Sequence, residues 1–129
     1  MGADSPLFSI VVPTFNREGH IGRCLESIAR QSYRDHEVVV VDNASVDGTV
    51  EVVRGFDSRL DVDVLVNDSN RERSYSRNRG AEYARGRFLV FLDSDDELRP
   101  DSLELAAAFV EAEPERRFFF QRLTIVDES

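Results

Sequence analysis

The sequence predicts an α/β fold, with a mostly parallel sheet and helices on both of its faces. Three apolar runs, at residues 8–12, 38–41 and 87–92, have the pattern of strands that are buried on both faces. Segments with the apolar spacing of helices lie between these runs. Alternating strands and helices form βαβ units, whose right-handed crossovers place helices on both sides of a parallel sheet.

The first half of the chain is predicted to supply two strands and two helices. Residues 8–12 form a strand that Pro13 closes, and a helix follows over residues 21–31 because its apolar side chains recur at helical spacing. Four valines at residues 38–41 form the second strand. Asp47 is predicted to cap a short helix after that strand.

The second half is predicted to continue the alternation. Residues 61–67 form a third strand, near an edge of the sheet because aspartates interrupt it. A loop over residues 68–74 leads into a helix over residues 75–84, which Gly86 ends in a left-handed conformation. Residues 87–92 are then expected to form the central strand of the sheet.

The last elements complete a single domain. Pro100 opens a helix that Pro114 ends, and residues 117–126 form a fifth strand. The length of 129 residues fits one domain, and the sequence contains no internal repeat.

Composition excludes several classes of function. The net charge of −9 argues against nucleic acid or an anionic membrane as a partner. All 16 basic residues are arginine, so the lysine of a P-loop is missing, as is the lysine beside the aspartates of response-regulator receivers and of haloacid-dehalogenase-like phosphatases. The glycine-rich dinucleotide fingerprint is also absent, which disfavours a nicotinamide enzyme.

The location predicted from the sequence is cytoplasmic. The N-terminus lacks the basic region of a secretory signal, and no apolar run approaches the roughly 20 residues of a membrane-spanning helix. The single cysteine, Cys24, rules out an internal disulfide, and we expect a core thiol there.

An acidic cluster follows the apolar run at residues 87–92. Asp93, Asp95, Asp96 and Glu97 place four carboxylates within five residues, where the strand should leave the core. Mg²⁺ and Mn²⁺ prefer such oxygen ligands and often share them with substrate phosphates. One interpretation is therefore a divalent metal site for a phosphate-bearing substrate. The alternative is a solvated acidic turn that caps the next helix.

Four blocks of sequence together resemble the nucleotide-sugar-binding half of family 2 glycosyltransferases of the GT-A fold. They are SIVVPTFNRE at residues 9–18, VVVVDNASVDGT at 38–49, SRNRGAEYARGRFLVFLDSDDE at 76–97 and LRPDSLE at 98–104. The resemblance implies a Rossmann-like nucleotide-sugar-binding domain over residues 1–129. It also implies that this chain lacks the acceptor-binding part, which supplies the catalytic base in that family.

The resemblance implies a set of site residues. Asp93, Asp95 and Asp96 would hold Mg²⁺ or Mn²⁺. The family often has two acidic residues after its second strand, whereas this chain has Asp42 and Asn43. The Asn43 carbonyl could accept the N3–H of uracil or thymine, which favours a pyrimidine nucleotide. The residues expected to contact the nucleotide sugar are Pro13, Thr14, Asn16, Asp42, Asn43, Arg77, Asn78, Asp93 and Ser94.

The implied activity is inverting, metal-dependent transfer of a sugar from a nucleoside diphosphate to an acceptor hydroxyl. The sugar, the acceptor (a sugar, lipid or protein) and the general base are not identified by the sequence. The alternative is a truncated nucleotide-sugar-binding module without transferase activity. Because the predicted sheet leaves an uncovered edge, a homodimer is also expected.

Overall fold

The computed structural model describes residues 5–113 and 115, which form a parallel sheet with surrounding helices. The sheet has four strands in the order β3-β2-β1-β4, and every neighbouring pair is parallel. The predicted α/β fold with a parallel sheet is therefore confirmed. The elements are β1 (Phe8–Thr14), α1 (Ile21–Ala29), β2 (His36–Asp42), α2 (Thr49–Arg54), β3 (Val62–Val66), α3 (Arg73–Tyr83), β4 (Phe88–Phe91) and α4 (Ser102–Ala112).

The register of the strands brings three loops to one edge of the sheet. Thr14 at the end of β1 lies opposite Asp42 at the end of β2. Val11 lies opposite Phe91, so the chain after β4 leaves the sheet beside the end of β1. The loops after β1, β2 and β4 therefore meet at the carboxyl edge, where ligands bind in open α/β sheets.

Helices cover both faces of the sheet. On one face, side chains of β1 and β2 form a single apolar core with residues of α1, α2 and α4. On the other face, α3 packs closely, because a Cβ atom on Gly80 would lie 2.5 Å from Val11 Cγ1. The buried residues of the first face include Phe8, Ile10, Val12, Val38, Val40, Ile21, Cys24, Leu25, Ile28, Val53, Leu103, Ala106 and Val110.

The prediction that residues 87–92 form the central strand stays a prediction, because residues 116–129, which include the predicted fifth strand, lie outside the described residues. In the part of the sheet that the structure describes, β4 lies at an edge and β1 has neighbours on both sides. Leu89 and Phe91 are 40% and 49% exposed, because they lie on the α3 face while α3 packs over β1 and β2. The predicted fifth strand at 117–126 lies outside the described residues, and the expected homodimer stays a prediction.

Three predictions at the ends of elements need correction. Pro13 does not close the first strand, since β1 continues through it to Thr14. Gly48, and not the predicted Asp47, occupies the N-cap position of α2. The Asp47 carboxylate still accepts a hydrogen bond from Thr49 N, at 3.0 Å. Gly86 is not left-handed, as no described glycine has a positive φ.

Gly86 is required instead by a close approach to β1. A Cβ atom there would lie 2.7 Å from Ser9 N, and Gly86 N donates to Ser9 Oγ at 2.7 Å. Ser9 Oγ in turn donates to the buried carboxylate of Glu37, which also accepts from Arg85 N at 2.7 Å. This network joins the turn between α3 and β4 to β1 and β2 at the edge opposite the three loops.

No helix in the part of the chain that the structure describes has the length and apolar character needed to cross a membrane.

Candidate functional site

A cavity of about 590 Å³ opens at the carboxyl edge of the sheet. Its volume lies in the range of pockets that hold small ligands and cofactors. Its walls come from the loops after β1, β2 and β4 and from the chain that enters α3. The lining residues are Pro13, Thr14, Phe15, Arg17, Asn43, Asn70, Arg71, Glu72, Arg73, Ser76, Asp93, Ser94 and Asp95.

Thr14 supplies an unsatisfied polar atom to this cavity. The residue is 4% exposed, and its Oγ1 has no hydrogen-bond partner among the described residues. A buried hydroxyl without a partner costs free energy, so native proteins usually pair it with a protein group, a water or a ligand. Its position in the cavity lining makes Thr14 a candidate for ligand contact.

The acidic cluster of Asp93, Asp95 and Asp96 is compatible with a divalent cation. Each residue offers a carboxylate oxygen, and these oxygens all lie within 4.8 Å of one another. Burial, followed by the charges of Asp95 and Asp93, raises the pKa of Asp96 above its usual range. A cation would offset this repulsion, and an all-oxygen donor set suits Mg²⁺ or Mn²⁺.

Asp95, Asp96 and Glu97 are exposed at a turn, as the alternative interpretation expects, but the capping role that it gave to the acidic cluster is wrong. Helix α4 begins at Ser102, and the residue before it is Asp101, whose side chain makes no capping hydrogen bond. The cluster therefore lies several residues upstream of the helix it was expected to cap. Glu104 is the acidic residue in the first turn of α4.

The cluster also affects a core thiol. Burial and the carboxylates of the cluster, Asp96 first, raise the pKa of Cys24 to about 12. Cys24 is buried, and its Sγ donates to the Asp93 carbonyl at 3.7 Å. Since a protonated, enclosed thiol is a poor nucleophile, the structure agrees with the expected core role.

Arg77 reaches from α3 to the acidic cluster. Its Nη2 lies 3.4 Å from Asp93 Oδ1, and the side chains are 38% and 49% exposed. Arg77 is therefore placed beside the candidate metal site, although it does not line the cavity itself. Asn78 is exposed on α3 and does not line the cavity.

The Asp42 carboxylate bonds to the loop after β2 and does not line the cavity. It is 1% exposed, and its carboxylate accepts from Ser45 N at 2.9 Å and from Ser45 Oγ at 2.6 Å. These bonds hold a turn in which Ala44 has a φ of 65°. The expected contact of Asp42 with a nucleotide is therefore not supported by its position.

Asn16 likewise joins two loops. Its backbone N donates to Ser45 Oγ at 2.8 Å, and its side-chain carbonyl accepts from Val46 N at 2.9 Å. Asn16 adopts a φ of 50° to make these contacts. It fixes the loop that carries Thr14 and Phe15, but it does not line the cavity.

Asn43 lines the cavity, but its amide is already engaged. The Oδ1 atom accepts from Arg71 N at 2.8 Å and from Asn67 Nδ2 at 2.9 Å, while Nδ2 donates to the Arg71 carbonyl at 2.7 Å. Both lone pairs of the carbonyl are thus used. The expectation that this oxygen accepts the N3–H of a pyrimidine is corrected by this geometry.

The structure adds cavity residues that sequence reasoning missed. Phe15 and Arg17 follow Thr14, and the segment 70–73 forms a second wall. Arg71 lies over the Tyr75 ring, 4.7 Å from its centre. The one signal in the sequence was the presence of Arg71 and Arg73 in the predicted loop at residues 68–74, since cationic side chains suit a phosphate-bearing ligand.

Comparison with protein families gives a match over nearly the whole chain. The model of "Glycosyl transferase family 2" matches residues 9–129. This range includes both the cavity lining and the acidic cluster.

Curated relatives carry glycosyltransferase names. A "PGL/p-HBAD biosynthesis glycosyltransferase" of Mycobacterium bovis (strain BCG / Pasteur 1173P2) is 39% identical over 113 residues, covering 85% of this chain and 44% of that protein. The "Poly(ribitol-phosphate) beta-N-acetylglucosaminyltransferase TarS" of Staphylococcus aureus (strain Mu50 / ATCC 700699) is 37% identical over 107 residues, covering 81% of this chain and 19% of that protein. The chain spans less than half the length of these relatives.

Solved structures of glycosyltransferases are similar to this chain in both fold and sequence. The S. aureus TarS fragment 1-349 in complex with UDP-GlcNAc has a TM-score of 0.77 and 36% identity, over 81% of this chain and 31% of that one. The mannosyltransferase PcManGT from Pyrobaculum calidifontis, in complex with GDP-Man and Mn²⁺, has a TM-score of 0.76 and 32% identity, over 84% of this chain and 33% of that one.

Proposed function

Because the chain belongs to glycosyl transferase family 2, we propose that it forms the donor-binding part of a glycosyltransferase. The donor would be a nucleoside-diphosphate sugar, and the reaction an inverting, metal-dependent transfer to an acceptor hydroxyl. One observation carries the proposal: the cavity at the carboxyl edge is lined both by Asp93 and Asp95 and by arginines. Opposite charges at one site suit a cation together with a diphosphate.

Residues of the chain take distinct roles in this proposal. Asp93, Asp95 and Asp96 hold the divalent ion, which supplies Lewis-acid stabilisation of the leaving diphosphate. Arg71 and Arg73 lie where guanidinium groups can pair with phosphate oxygens. Thr14 Oγ1 donates to or accepts from the nucleotide, which gives this buried hydroxyl the partner that it otherwise lacks.

We propose that the Asn43 carbonyl does not select the base of the donor. The predicted preference for pyrimidines rested on that oxygen, which already accepts two hydrogen bonds. The remaining N–H of the Asn43 amide can donate to a carbonyl of either uracil or guanine. Among the relatives, the S. aureus fragment is in complex with UDP-GlcNAc and the P. calidifontis enzyme with GDP-Man.

The second candidate function is a donor-binding module that transfers nothing alone. It is favoured by the length of the chain, which spans 44% of the mycobacterial relative and 19% of the staphylococcal one. Transfer also needs an acceptor surface and a general base within hydrogen-bond reach of the attacking hydroxyl. We therefore propose that residues 1–129 form a single donor-binding domain.

Titration calorimetry with UDP, TDP and GDP, in Mn²⁺ and in EDTA, tests donor binding. The parent should bind a nucleoside diphosphate more tightly with Mn²⁺, and Asp95→Asn should lose most of that gain. Asp57→Asn is the matched control, because Asp57 follows the end of α2, away from the carboxyl edge. Equal metal dependence in the parent and in Asp95→Asn would overturn the assignment of the cluster.

A donor-turnover assay on the same chain separates the two candidate functions. Sugar transfer that depends on an added acceptor would place the general base within these residues. Nucleotide binding without turnover is the result expected for the donor-binding module.

A further inference from the structure

Arg77 is the basic residue that joins α3 to the acidic cluster. Its Nη2 lies 3.4 Å from Asp93 Oδ1, so the two form an ion pair across the gap between the helix and the loop after β4. The helix that carries Arg77 is held firmly, because Gly80 on α3 lies against Val11 and Val41 of the sheet. The backbone of Arg77 is therefore fixed at a position from which its guanidinium reaches the cluster.

This ion pair uses an atom that a cation would also use. Asp93 belongs to the group of carboxylates whose oxygens lie within 4.8 Å of one another. A divalent ion bound there would repel the positive guanidinium and would compete with it for Asp93. Because both side chains are partly exposed, solvent weakens this competition without removing it.

A diphosphate would offer Arg77 a second partner besides Asp93. The guanidinium has five N–H donors in a planar fork, which pairs with phosphate oxygens as readily as with a carboxylate. Asp93, the partner of Arg77, lines the cavity, so a phosphate bound beside Asp93 would face Arg77, and its negative charge would offset the repulsion between the guanidinium and the cation. Asp93 is then free to give its oxygen to the ion.

We propose that Arg77 couples the binding of the divalent cation to the binding of the diphosphate. Arg77 lowers the affinity of the acidic cluster for a cation alone and relinquishes Asp93 when a diphosphate is present. The coupling must be reciprocal, so the cation strengthens diphosphate binding by the same factor. The inference rests on the proposed function, because it takes the acidic cluster as the metal site.

The test measures Mn²⁺ binding by electron paramagnetic resonance on the full chain, with and without UDP, at low ionic strength. Arg77→Gln should bind Mn²⁺ alone about two- to fivefold more tightly than the parent, the range expected for a partly exposed ion pair. The gain in Mn²⁺ affinity on adding UDP should fall by a similar factor. Inorganic pyrophosphate should reproduce the pattern, since the coupling involves phosphate and not the base.

Two variants control for charge and for shape. Arg54→Gln makes the same change of charge at an exposed position in the last turn of α2, and it should behave as the parent. Arg77→Lys keeps the charge but not the planar fork, so it should retain part of the coupling. Thermal melts of each variant check that the fold is intact.

The outcomes separate the inference from the proposed function. If the parent binds Mn²⁺ more tightly with UDP and Arg77→Gln behaves as Arg54→Gln, the role of Arg77 is wrong while the metal site stands. If UDP binds the parent but Mn²⁺ binds neither alone nor with UDP, the metal site and the inference fail together.

Discussion

The side-chain amide of Asn43 pairs with the backbone of Arg71 through two hydrogen bonds. Nδ2 donates to the Arg71 carbonyl at 2.7 Å, and Arg71 N donates to Oδ1 at 2.8 Å. The pair joins the loop after β2 to the loop before α3, and both loops line the cavity. Asn43 therefore positions a wall of the site.

Replacing Asn43 with alanine should loosen that wall. The variant loses three hydrogen bonds of its amide, which costs about 1–2 kcal/mol because two of them are exposed to solvent. Nucleotide affinity should fall, since the loop at Arg71 must then be ordered on binding. Urea denaturation and calorimetry with a nucleoside diphosphate measure the two effects.

Two further variants test whether the lost hydrogen bonds to Arg71 cause the fall in nucleotide affinity. Asn43→Asp can still accept from Arg71 N but cannot donate to its carbonyl, so it should lose affinity as well. Ser69→Ala is the matched control, because Ser69 is exposed on the same loop and its hydroxyl makes only a 3.5 Å contact with Asp68. Unchanged affinity in Asn43→Ala would contradict the positioning role.

The sequence could place Asn43 at the end of a strand but could not show the direction of its amide. Strand ends follow from local apolar patterns, and parallel register then brings Thr14, Asn43 and Asp93 to one edge. The partner of Asn43 lies on a loop that no local pattern connects to it. Its hydrogen bonds became visible only with the tertiary structure.

The same limit explains why β4 is less buried than its apolar run predicts. An apolar run of four residues predicts a buried strand, but it does not show which strands flank it or how far a helix covers it. Leu89 and Phe91 lie beside the area that α3 covers, and they remain half exposed. Strand order is a tertiary property, whereas the alternation of strands and helices is local.

Two helical glycines should respond to alanine in opposite directions. Gly80→Ala should destabilise the fold by about 1–3 kcal/mol, because the new Cβ would lie 2.5 Å from Val11 Cγ1 in the packed face under α3. Gly22→Ala on α1 should stabilise it by roughly 0.5 kcal/mol, since its Cβ would make an ordinary 3.7 Å contact with Val52.

Urea midpoints at an unchanged slope measure both effects, and each variant is the control for the other. A loss of stability in both variants would show that alanine is unfavourable on either helix. The contact with Val11 would then not be the cause of the loss in Gly80→Ala.

His36 should make the fold sensitive to mild acid. Burial lowers the pKa of His36 below 6.5, Arg34 lowers it further, and Asp35 and Asp61 oppose the shift. Neither ring nitrogen has a hydrogen-bond partner among the described residues. The unfolded chain therefore binds the proton more readily, so this contribution to stability is complete above about pH 6.5 and is lost as the pH falls.

Urea denaturation at pH 8 and at pH 5.5 measures this effect. His36→Gln should lose less stability than the parent over that interval, because glutamine does not titrate. His20→Gln keeps His36 and should follow the parent. An equal loss in His36→Gln and in the parent would rule out His36 as the source of the acid sensitivity.

The order of the strands delays completion of the sheet while the chain is being synthesised. β1 is translated first, yet it lies between β2 and β4, and Phe8 meets Phe88 only after three helices and two strands have been made. Until β4 leaves the ribosome, one side of β1 has no partner, and pairings between distant segments form slowly. A nascent chain that stalls before residue 88 would therefore expose an apolar strand edge with which other chains could pair.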